Sequence, residues 1–193
     1  DADIVVRSGC MAKEADMILS EFILLGIGGK ELSEENAAQT AKALNIIQPD
    51  FIRVHATGIK LESKLGEFVR DGSFTLQSEE EIVIEQKLFL QQLHEMDSYY
   101  VNEHIVNLLL EVRGNLRTEK QEMLSTIDRF LTLPPDERLL FTVGRRLNIF
   151  FRLDDLKKPK LHQKAGESLQ QILSKNPHVD FAALCNYVRQ SQI

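Results

Sequence analysis

Cysteine is scarce: Cys10 and Cys185 stand far apart, with no CxxC spacing between or around them. That pattern argues against a disulfide framework or a thiolate metal motif, and predicts two unpaired thiols in a reducing, cytoplasmic setting. Long apolar runs are also missing. None approaches the roughly 20 residues of a membrane-spanning helix, and no stretch has signal-peptide character. Excess basic charge is absent as well, since 23 Lys and Arg face 29 Asp and Glu for a formal charge of -6. Broad nucleic-acid binding needs clustered cations to displace counterions, so it is not expected. A local basic patch remains open, for example at Arg145-Arg146 or Lys157-Lys158-Lys160. No repeat period and no low-complexity segment is visible.

What is present suits a folded unit. At 193 residues, 43% apolar and 27% charged, the chain is long enough for one domain with a real core. "DIVV" and "CMAKEAD" in the first 17 residues read as a helix. "FILLGI", 22–27, is a continuous apolar run and predicts a strand buried on both faces. Ser33 is expected to cap the following helix, with Glu34 and Glu35 in its first turn and Ala37, Ala41 and Leu44 as its buried stripe. Pro49-Asp50 ends it, and "FIRVHA", 51–56, reads as a second strand. Strand, helix, strand at this spacing predicts a parallel βαβ unit with a right-handed crossover.

A short helix over 60–70 is broken by Gly72, and Ser78…Glu81 is a capping box opening a long helix to about His94. Glu79-Glu80-Glu81 reads as its solvated N-terminus. Beyond it, "YYVNEHIVNLL" begins extended, and Thr118…Gln121 is a second capping box. Met123, Leu124, Ile127, Phe130 and Leu131 then share one helical face. Pro134-Pro135 starts a further helix, 153–165 reads as a Lys-rich linker, and helices are expected at 165–175 and 179–190. The expected architecture is α/β over 1–95 and α-helical over 96–193. Two parallel strands form no stable sheet alone, so further strands are required, within the chain or ahead of it. The start at Asp1, without methionine, points to the later part of a longer protein.

The glycines of "SEFILLGIGGKELSEEN" pose the functional question. GxGxxG requires glycine where Glu31 stands, and a Walker A loop requires Ser or Thr at that same position. Glu31 beside a helix N-terminus would also compete with a phosphate. Two readings remain: a tight turn using positive φ, or close approach of the backbone to a ligand at the end of a parallel strand. His55 and Thr57 lie at the end of the second strand, beside this loop if the strands are neighbours. His94 and His104 match no zinc spacing, and no Ser-His-Asp or Cys-His arrangement is recognisable.

Several segments together carry a resemblance. "EADMILSEFILLGIGGKELSEENAAQTAKALNIIQPDFIRV" resembles the later strands of the partial barrel in radical S-adenosylmethionine enzymes, with their Gly-rich strand end and following helix. "YYVNEHIVNLLLEVRGNL" and "DRFLTLPPDERLLFTVGRR" resemble the helical extension of a subgroup described broadly as Fe–S oxidoreductases. The likeness covers roughly 10–150. It implies a partial TIM-like barrel segment followed by helices. It also implies a parent enzyme that cleaves S-adenosylmethionine reductively at a [4Fe–4S] cluster. By position it places Gly26, Gly28 and Gly29 along the cofactor pocket, with His55 and Thr57 facing the same cavity. The family's CxxxCxxC loop is absent, and such clusters take Cys ligands. The resemblance therefore implies that this segment is inactive alone, that its partner is the earlier part of its own barrel, and that its open sheet edge favours a homodimer. Two other readings are a non-catalytic α/β interaction module with a helical tail, and a barrel enzyme with chemistry centred on His55.

Overall fold

The strands β1 (Ser20–Leu25) and β2 (Phe51–Ala56) pair in parallel, with Ser20 opposite Phe51 and Leu25 opposite Ala56. The helix α2 (Ser33–Ile47) connects them, ending where Gln48 takes a left-handed conformation before Pro49. This is the expected βαβ unit. The computed structural model, which describes residues 2–192, adds two strands to it. A short β3 (Tyr99–Val101) pairs in parallel with β2, and β4 (Gly114–Asn115) closes the far edge antiparallel to β3. The chain is thus an α/β protein with an open, mostly parallel sheet in the order β1-β2-β3-β4. Among the described residues, β1 pairs on one side only.

Helices cover one face of that sheet. Ile23, Leu25, Ile52, Val54, Ala56 and Tyr100 point into the core beneath α2 and α4 (Glu79–Gln92). Burying each large aliphatic there contributes about 1.5–3 kcal/mol. Alternate residues face the other way, and they are not buried: Phe22 is 64% exposed and Leu24 47%. The expectation that "FILLGI" is a strand buried on both faces is therefore corrected. The run is continuous in hydrophobicity, but strand geometry sends successive side chains to opposite faces, and only one face has helices on it.

Local signals decide the helices with mixed success. Residues 2–14 form one helix, α1 (Ala2–Glu14), packed on α2. The short α3 (Lys64–Asp71) is capped by Ser63, whose hydroxyl accepts the Gly66 N–H at 3.1 Å, and ends at left-handed Gly72. At α4 the capping box is complete, with Ser78 Oγ accepting from Glu81 N and Glu81 Oε2 from Ser78 N. Two other caps differ from expectation. Leu32 occupies the cap of α2, and the Ser33 hydroxyl instead donates to Glu85 at 2.7 Å. For α5 (Lys120–Leu131) the cap position is Glu119, whose carboxylate accepts the Asn115 N–H at 2.7 Å.

The C-terminal helices are α6 (Pro135–Arg146), α7 (Pro159–Lys175) and α8 (Phe181–Gln190). Residues 153–165 are structured, contrary to the linker reading. A 3₁₀ turn spans Leu153–Lys157, and Asp155 Oδ2 accepts the Phe151 and Arg152 N–H groups at 2.8 and 2.9 Å. One hydrophobic cluster runs from Ile23 to Ala165, so the α/β and helical portions share a core. Among the described residues, no helix is long and apolar enough to cross a membrane.

Candidate functional site

The C-terminal ends of β1 and β2 meet at Gly26 and Thr57. The Thr57 N–H donates to Leu25 O at 2.8 Å, continuing the parallel ladder one residue past β2. Gly26 (φ +83°) and Gly29 (φ +63°) both sit in the left-handed region, where other residues are strained. A side chain at Gly28 would place its Cβ 2.9 Å from Leu32 O. Each glycine of the turn therefore has a steric reason within the protein.

Three N–H groups of the turn are bonded within the protein. Gly26 N donates to Glu85 Oε1 at 3.0 Å, Gly29 N to Gly26 O at 3.2 Å and Lys30 N to Thr75 O at 3.0 Å. Glu85, fully buried in mid-α4, also accepts from Ser33 Oγ, Asn36 Nδ2 and Gln77 Nε2 at 2.7–2.9 Å. Four neutral donors thus solvate one buried carboxylate, which is how a charge is tolerated away from water. Glu85 fastens the glycine turn and the start of α2 to α4. Sequence reasoning missed it because a lone glutamate amid an apolar helix gives no signal of its partners.

Two polar atoms at this exit have no protein partner: Thr57 Oγ1 and Gln77 Oε1, both buried. Gln77 is 4% exposed, and its Oε1 lies 3.1 Å from where a Cβ on Gly26 would sit. The geometry therefore brings Gly26, Thr57 and Gln77 together, while Gly29 abuts Phe74 and Thr75.

His55 occupies the open face of β2. Its ring stacks on His104 with centroids 4.3 Å apart and meets the edge of Phe22 at 5.4 Å. On the same face Arg53 donates from Nε to Ser20 Oγ at 3.0 Å and lies over Phe22 and Phe51. Burial, then the neighbouring His104 and Arg53, hold the His55 pKa below its ordinary value of 6.5. At neutral pH it is an uncharged imidazole, able to accept a proton or present a ring face to a planar ligand. The alternation in "FIRVHA" already places Arg53 and His55 on one face, so this pairing was available from the sequence.

The loop carrying His104 is held from several directions. Asn107 donates to Val54 O and accepts from Ala56 N, at 2.6 and 2.7 Å, mimicking a neighbouring strand. Arg145 reaches Ile105 O at 3.0 Å, and Arg146 reaches Val106 O at 2.9 Å. Arg146 also grips Glu79 through Nε and Nη2 at 2.9 and 2.5 Å, and Arg189 of α8 donates to the same carboxylate. Burial opposes charge on Glu79, but the two guanidiniums outweigh it and its pKa falls. Glu79 is therefore the buried centre of an ionic knot, not part of a solvated N-terminus as the acidic triplet suggested. Asn186 of α8 bonds both backbone groups of Ile59, at 2.9 and 3.1 Å, and so pins the segment that follows Thr57.

Cys10 and Cys185 are both free thiols. Among the described residues no group of three His, Cys, Asp or Glu is arranged to hold a metal ion. The donor set of this chain does not fit a [4Fe–4S] cluster, which takes several thiolates. Comparison with protein-family models, with curated proteins and with solved structures gives no match to this chain.

Proposed function

We propose that this chain is the later, C-terminal segment of a radical S-adenosylmethionine oxidoreductase, forming part of its barrel and the helical cap that follows. One observation carries the reading: parallel strands with helices on a single face and an unpaired β1 edge. In a parallel barrel the helices lie outside, and the other face of each strand turns toward the interior. Phe22, Arg53 and His55 would then line the interior, and the free edge of β1 would receive the preceding strand. An apolar groove of about 250 Å³ runs beside that edge, between α1 and α2.

Within this reading Gly26, Gly28 and Gly29 form the wall of the S-adenosylmethionine pocket nearest β1, with His55 and Thr57 on its β2 side. Thr57 Oγ1 and Gln77 Oε1 supply unpartnered polar atoms for the polar edges of that molecule. S-adenosylmethionine, when cleaved reductively, supplies the radical chemistry. The residues here bind and orient. On this reading the cluster's thiolates come from an earlier part of the barrel, and an oxygen-labile cluster suits a reducing, cytoplasmic setting. Left alone, the β1 edge is a template for a second copy and favours a homodimer.

Anaerobic reconstitution with iron and sulfide tests this. The longer protein, with the residues encoded ahead of Asp1, should show [4Fe–4S] absorbance and cleave S-adenosylmethionine under reduction. A longer protein that takes up no cluster sinks the proposal. If it also lacks affinity for S-adenosylmethionine, a non-catalytic interaction module becomes the better account.

A further inference from the structure

Between α6, α7 and α8 lies an open cavity of about 430 Å³, within the range of small-molecule sites. Its walls are aliphatic, with Val143, Ile172 and Val188 among them, and its polar members are Arg146, Lys175, Asn176 and Cys185. Arg146, only 3% exposed, commits Nε and Nη2 to Glu79 and Val106, and its Nη1 has no partner. Arg189 shares the same carboxylate and leaves its own Nε unpartnered. Arg145 lies fully buried beside them, with its Nε and Nη1 unpartnered. The cavity lining thus carries two cations, Arg146 and Lys175, and no carboxylate.

We propose that this cavity binds a monoanionic amphiphile, an alkyl or aryl carboxylate. Its apolar body fills the aliphatic walls, and its carboxylate pairs with the cations of the lining, Arg146 and, at the rim, exposed Lys175. Binding is non-covalent. Burial pushes the Cys185 thiol up to about 12, so it remains a protonated, apolar wall and not a nucleophile. The proposal is independent of the barrel reading, since no residue of the strand ends takes part.

Calorimetric titration of the whole chain with octanoate, 1-octanol and octylamine provides the test. Octanoate should bind, with octanol roughly ten- to a hundredfold weaker, because it lacks the charge-assisted contact. Octylamine should not bind. Val188→Trp and Leu184→Trp, which fill the cavity, should abolish octanoate binding while preserving the far-UV circular dichroism of the parent chain. Equal affinity for octanoate and octanol overturns the anionic assignment, and no binding of either overturns the site. Octanoate binding that survives both folded variants places the ligand elsewhere and also defeats the proposal. The carboxylate-to-alcohol comparison uses the unaltered chain, so it decides the matter even if neither variant folds.

Discussion

The two faces of the sheet are built from alternate residues of the same six-residue strands, yet they have opposite fates. On the covered face Ile52 and Val54 are sealed beneath α2 and α4. On the open face Phe22, Arg53 and His55 hold one another in ring and cation contacts, without a helix above them. Stability therefore lies on one side of the strands, and the chemically versatile groups lie on the other. A side chain's distance from the core here depends on the parity of its position, not on its hydrophobicity.

Substitutions on either side sharpen the contrast. The largest effect is expected on the covered side: Phe89→Ala, in α4 against Tyr100, should cost about 3–5 kcal/mol in urea unfolding. Where the faces converge, Gly29→Ala should cost about 1–2 kcal/mol, since φ is +63° and the new Cβ would meet Thr75 O at 3.0 Å. On the open side, Phe22→Ser should change unfolding free energy by no more than about 0.5 kcal/mol. It should nonetheless weaken self-association measured by light scattering. A cost comparable to that of Phe89→Ala would show that the open face is covered in solution and break the comparison.

The smallest effect concerns pH. His55 titrates below 6.5 when folded, so the unfolded chain takes up its proton first. Stability is then full above 6.5 and declines as pH falls through 6.5 toward the folded value. The melting temperature of the parent chain should drop more between about pH 7.5 and about 5.5 than that of His55→Asn. Equal drops would remove His55 from the account.

The βαβ unit was legible because each part carries its own local signal: an apolar run, the Ala37, Ala41, Leu44 stripe, and Pro49 as a stop. The capping box at Ser78 was legible for the same reason. What escaped were long-range choices. Ser33 has the composition of a cap, but its hydroxyl donates to Glu85 and accepts from Gln77 Nε2, so side chains from α4 and the segment before it hold the oxygen that would cap the helix. Glu79 reads as solvated until Arg146 and Arg189, far along the chain, are folded against it. The glycine turn was placed correctly and its positive φ anticipated, yet the bond from its Gly26 N–H depends on Glu85, a residue 59 positions away. At the candidate site His55 and Thr57 were visible as strand-end residues. The His104 stack was not, since a loop pinned by Asn107, Arg145 and Arg146 has no periodicity to read.

The amide clasp of Asn186 on Ile59 joins residues 127 positions apart, and the Arg189 contact with Glu79 spans 110. During synthesis at roughly 5–20 residues per second, the segment after Thr57 leaves the ribosome about 6–25 s before its clasp exists. Over that interval Asn107 and the β1 ladder are the contacts that arrive early enough to order the strand ends. Closure of so long a loop also raises the relative contact order and slows the final docking of α8. The exit of β2 is thus the place where this chain matures last, and where a chaperone or a protease has the longest time to act.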